Sequence, residues 1–149
     1  MSILADRLAH VTESHAREIA EQWAKAVRKN PKTPSFHDIP EEYCILHAKD
    51  FYKNFVKVYF EEKPYPALEE YFTKYAEARF KEGIPLPETI HALLMLRRHM
   101  WLFADSKAVF NSTIDQHQAV ETINQTIRIF DHGIYLITKR YQELSSGKA

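Results

Sequence analysis

The chain has 149 residues, enough for one domain that buries roughly two-thirds of its unfolded surface without disulfide or metal staples. Its 45% apolar and 13% aromatic content excludes disorder, and only three glycines argue against an all-β or loop-rich fold. Twenty basic residues balance twenty acidic ones, so no net field draws the chain to nucleic acid or to an anionic membrane.

Five helical segments are predicted between proline-marked breaks. The first runs from about Ile3 to Lys29, with Leu4, Leu8, Val11, Ile19, Trp23 and Val27 along one face, at three- and four-residue steps except for the eight between Val11 and Ile19. Asn30–Pro31 and Thr33–Pro34 stop it, because a residue before proline is pushed out of the helical region. Asp38, with Glu41 three residues later, reads as a variant capping box. The helix it opens runs to about Glu62 and presents Cys44, Ala48, Phe51, Phe55 and Val58 on one side. Pro66 then opens a third helix with Leu68, Phe72, Tyr75 and Ala76 inward, ending at Gly83 in the left-handed C′ position.

Ile84–Pro85–Leu86–Pro87 forms a stiff corner, and Pro87 starts a fourth helix carrying Ile90, Leu93, Leu94, Arg97 and Trp101. A polar connection around Ser106–Asn111 leads to a capping-box-like start at Ser112 and Asp115. The last helix runs to about Leu144. Its Val120, Ile123, Ile127, Phe130, Ile134, Ile137, Tyr141 and Leu144 alternate steps of three and four, a heptad seam of period 3.5. Such a seam serves either the core of a bundle or a dimer contact. Ile129 and Leu136 lie beside it, so the helix is expected to pack on its own domain and on something else. Gly133 inside it costs about 1 kcal/mol relative to Ala and marks either a close helix contact or a tolerated defect. The chain reads as one domain, residues 1–149, with Ser145–Ala149 as a frayed tail.

A catalytic or metal site is not found in these patterns. Among His10, His15, His37, His47, His91, His99, His117 and His132, no two are spaced by three or four, as two ligands on one helix face require. Glu88 and His91 form one Glu-x-x-His unit, but a di-iron bundle needs a second. Cys44 is alone and on an apolar face, which raises a thiol pKa. The glycines Gly83, Gly133 and Gly147 are isolated, so no phosphate loop forms. Glu41–Glu42, Glu61–Glu62 and Glu69–Glu70 sit at helix ends, where the macrodipole and solvent account for them. The expectation is no enzyme, no cofactor and no metal. With no leader and no apolar run near about 18 residues, the expected address is the cytoplasm, with no membrane and no nucleic acid as partner.

Two stretches carry a resemblance. One is Trp23-Ala-Lys-Ala-Val27-Arg-Lys-Asn-Pro31-Lys-Thr33-Pro34-Ser-Phe36. The other is Tyr75-Ala-Glu-Ala-Arg79-Phe-Lys-Glu-Gly83-Ile-Pro-Leu86-Pro-Glu88-Thr-Ile90, continuing to Leu96-Arg97-Arg98 and Trp101. With Phe130-Asp131 and Tyr141, they make nearly the whole chain resemble the N-terminal sensor domain of RsbR/RsbRD-type stressosome proteins. The Arg-x-x-x-Gly-hydrophobic-x-Leu corner is the most specific part. The resemblance implies a non-haem, globin-like fold, a homodimer, and a stress-response role in signal transduction upstream of a STAS output domain. Trp23, Pro34, Arg79, Gly83, Leu86 and Asp131 would be its structural motif residues. Val120, Ile123, Ile127, Phe130, Ile134, Ile137 and Tyr141 would form the dimer and signalling helix, and a protein of the pathway would be the further partner.

The sequence as given stops at Ala149, without room for a STAS module, so a free-standing relative and a part of a longer protein both stay open. Haem-binding sensor globins resemble this corner but place a histidine where Arg79 stands. A haem-based gas or redox sensor therefore remains an alternative only through a shifted ligand, His91 or His99. A second alternative is a small-molecule module with Phe51, Phe55, Phe72, Tyr75, Trp101 and Phe103 lining a cavity.

Overall fold

The computed structural model describes residues 3–61, 63–106 and 116–147, and among them every regular element is helical. The described residues form six helices: α1 (Ile3–Ser14), α2 (Ala16–Val27), α3 (Glu41–Tyr59), α4 (Pro64–Lys81), α5 (Leu86–Ser106) and α6 (Gln116–Ser145). A short 3₁₀ turn, Pro34–Phe36, lies between α2 and α3. The tightest pairings are α2 on α3 and α4 on α6, with α5 completing the bundle against α2 and α6.

Five boundaries differ from the sequence expectation. The first helix is two helices, broken at His15, whose φ of −118° and ψ of 22° leave the helical region. The apolar steps continue across the break because both pieces bury the same side, through Leu8, Thr12, Ile19 and Trp23. Asp38 is not the N-cap of α3. The non-helical residue before Glu41 is Pro40, with φ −54° and ψ 139°, and Ile39 before it is restricted by the proline ring. Helix α3 stops at Tyr59, short of Glu62. Helix α4 opens at Pro64 rather than Pro66, since both prolines fit in a first turn whose N–H groups have no partner to lose. Helix α5 begins at Leu86, one residue before Pro87. The polar connection around Ser106–Asn111 and the Ser112/Asp115 cap fall almost wholly outside the described residues.

The core is aromatic. Trp23, Phe36, Phe51, Tyr52, Phe72 and Phe130 are buried, and Phe51 touches the rings of Phe55, Phe72, Tyr75 and Phe130 at centroid distances of 5.7–6.5 Å. Offset and edge-on ring contacts of this kind add to the area term. Two buried donors tie α5 in: Trp23 Nε1 donates to the Ala92 carbonyl at 3.1 Å, and the Tyr52 hydroxyl to that of Leu96 at 2.7 Å. No helix among the described residues is long and apolar enough to cross a membrane.

Candidate functional site

Three places gather the chemistry-bearing residues: the corner that anchors α6, the polar cluster between α3 and α4, and the outer face of α5.

The corner is built as the sequence requires. Gly83 adopts φ +79°, the left-handed conformation that ends a helix, and Ile84 N donates to the Arg79 carbonyl at 3.1 Å in the closing turn. Tyr141 of α6 reaches into it. Its hydroxyl donates to the Ile84 carbonyl at 2.8 Å and shares a second hydrogen bond of 2.8 Å with Thr89 Oγ1. Arg140 adds an ion pair to Glu77 at 2.6 Å, and Gly133 lets α6 approach so closely that an added Cβ would sit 2.7 Å from the Phe72 ring. Gly133 therefore marks a close helix contact.

Upstream of that anchored half, the helix is different. The seam enters the core at Phe130, Ile137 and Tyr141, all buried, with Ile134 half-buried. Val120, Ile123 and Ile127 stay 57%, 39% and 39% exposed. A seam of period 3.5 on a helix of 3.6 residues per turn rotates by about 20° each heptad. Here that rotation carries it from the open side into the bundle. Phe130, Ile137 and Tyr141 hold the chain's own core, and the three upstream residues form an uncovered apolar stripe.

Between α3 and α4, Arg79 is buried and pairs with Glu82 at 2.7 Å, while Tyr43 also donates to Glu82. The Tyr75 hydroxyl donates to His47 Nε2 at 2.6 Å, and Arg79 Nη1 lies 3.3 Å from the same nitrogen. His47 Nε2 is thus an acceptor, which places the imidazole proton on Nδ1. The ring is enclosed between Trp23 and Tyr75, at centroid distances of 5.1 and 5.3 Å. Burial, and then the Arg79 cation, hold its pKa well below the usual imidazole range. Burial likewise pushes the Tyr75 phenol up to about 12, with Arg79 opposing. These hydrogen bonds tie α3 to α4.

The remaining candidates separate cleanly. His91 and His99 face one groove on α5. They stand eight residues apart, about 12 Å along the helix, so one metal centre cannot take both. Burial, and then the neighbouring Arg98 cation, lower the His99 pKa. Glu88 of the Glu-x-x-His unit accepts from the Ser35 amide at 2.7 Å and its hydroxyl at 2.9 Å, tying the 3₁₀ turn to α5. His15 bonds Glu18, His37 Nε2 contacts the Asn30 carbonyl, and His132 is half-buried against Tyr65. No group of three or more metal-ligating side chains occurs among the described residues. Cys44 is buried, and burial pushes its thiol up to about 11.

Among the motif residues, Trp23 is fully buried, Pro34 opens the 3₁₀ turn, Leu86 is half-buried at the corner and Asp131 is exposed. Of the aromatics expected around a cavity, Phe51, Phe55, Phe72, Tyr75 and Phe103 are buried and Trp101 is half-buried. The sequence reading missed the Arg79–His47–Tyr75 cluster. A signal was available: Tyr75 and Arg79 are four residues apart on the inward face of one helix.

No protein-family model, curated protein or solved structure matches the chain.

Proposed function

We propose that the chain is a non-enzymatic sensory or protein-interaction domain that transmits a signal as a homodimer, in a globin-like helical arrangement without haem. The observation that carries this reading is the division of α6. Its C-terminal half is fixed to the corner by Tyr141, Arg140 and Gly133, and its N-terminal half offers Val120, Ile123 and Ile127 to a second copy. Three large apolar side chains on one face of a helix favour burial against a like surface. Any movement of the exposed half relative to its twin is then passed along one rigid helix to the corner between α4 and α5. The zero formal net charge adds no long-range repulsion between copies. The resemblance to RsbR/RsbRD-type sensor domains, with their stress-response role in the cytoplasm, points the same way.

Cysteine cross-linking tests the contact. Cys44 is buried with a raised pKa, so an Ile123→Cys chain carries one reactive thiol. Oxidation is expected to give a disulfide-linked pair through position 123, while Gln142→Cys at the anchored end stays monomeric on a denaturing gel. Equal cross-linking at both positions, or none at 123, contradicts the proposed face.

A further inference from the structure

The groove between the end of α2 and the outer face of α5 combines an apolar floor with a rim of one charge. Its volume is about 630 Å³, within the usual range of small-ligand sites. Leu94 and Met95 form its floor, and Leu102 stands 48% exposed at its end. Lys32 and Arg98 line it, and neither has an ion-pair partner among the described residues. No carboxylate lines it. In a chain whose charges balance overall, two unpaired cations over an apolar floor are a local excess.

We propose that this groove binds an amphipathic carboxylate, an aliphatic chain ending in one carboxyl group. The aliphatic part lies along Leu94, Met95 and Leu102, and the carboxylate meets Arg98 and Lys32. Between His91 and Leu102 the groove follows about 16 Å of α5, long enough for an extended alkyl chain. A single negative charge fits better than a phosphate. The groove takes in the C-terminal end of α2, through Ala26, where the helix dipole is negative. No helix N-terminus opens into it to supply the backbone N–H groups that phosphates use. No α6 residue lines the groove.

Titration calorimetry with dodecanoate, below its micellar concentration, tests the assignment. Wild-type protein is expected to give saturable one-to-one binding. Dodecylammonium, with the same chain and the opposite charge, is expected not to bind. Lys32→Glu with Arg98→Glu should weaken dodecanoate binding about tenfold or more, as two cation–carboxylate contacts are replaced by repulsions. Lys53→Glu, an exposed change on α3, should leave it unaltered. Circular dichroism checks that the double variant keeps its helices. Absence of saturable dodecanoate binding, equal binding of dodecylammonium, or wild-type affinity in the folded double variant each overturns the proposal.

Discussion

Gly133 shows how one missing side chain sets the distance between two helices. A methyl group there would press on the Phe72 ring, which is itself buried against Phe51, Tyr71 and Tyr75. Alanine gains about 1 kcal/mol of helix propensity, and overpacking costs about 1–3 kcal/mol. Gly133→Ala is therefore expected to be destabilising by about 1 kcal/mol net. Combined with Phe72→Leu, which shortens the opposing side chain, it should cost less than the sum of the two single changes. A urea-unfolding double-mutant cycle measures this, and strict additivity would show that the contact does not limit the approach. His47 gives the other residue-level prediction. It is neutral when folded and titrates near about 6.5 when unfolded. The unfolded chain binds more protons as pH falls, so stability is flat above about 6.5 and declines below it by up to about 1.4 kcal/mol per pH unit. His99 acts in the same direction. His47→Gln should give a shallower decline in unfolding free energy over that window, and parallel curves would count against a neutral His47 in the folded chain. The role of Cys44 was legible from the sequence because an apolar helix face alone raises a thiol pKa. The role of His47 was not, because its partners Trp23, Tyr75 and Arg79 come from two other helices.

At the scale of the element, α6 is anchored at one end and open at the other. Tyr141→Phe keeps the ring against Phe80, at a centroid distance of 5.5 Å, and removes only the hydroxyl that serves Ile84 and Thr89. The buried Ile84 carbonyl loses that donor, and we expect a loss of about 1–2 kcal/mol. A lower urea midpoint with an unchanged slope is the expected signature; an unchanged midpoint would mean that the corner does not hold α6. The 3.5-residue period was readable as a pattern, but which half of it faces outward was not. That depends on where Phe72 and the corner stop the helix from turning. Helix beginnings were misread for a local reason. Ile39–Pro40 and Pro64 set the backbone before the side chains of Asp38 or Pro66 have any part in it.

For the whole molecule, the all-helical architecture followed from apolar periodicity and scarce glycine, because each helix carries its own record of a buried side. The ends of the first expected helix did not. Val11 and Ile19 keep to one face across His15, while the backbone breaks there. The aromatic residues were legible as a set, and their ring-on-ring contacts emerge only when α3, α4 and α6 converge on Phe51. The groove on α5 was hidden for the same reason, since Lys32 and Arg98 are far apart in the chain and meet only through the packing of α2 on α5. What the bundle leaves uncovered decides how it meets a partner, and the stripe of Val120, Ile123 and Ile127 is the apolar surface placed on the longest helix. Sedimentation equilibrium at micromolar concentration tests this most directly. The wild-type chain should sediment at twice its monomer mass, and Ile123→Glu with Ile127→Glu should return it to one chain mass while keeping its helical content. A wild-type monomer at high micromolar concentration, or a dimer untouched by the paired glutamates, would contradict association through α6.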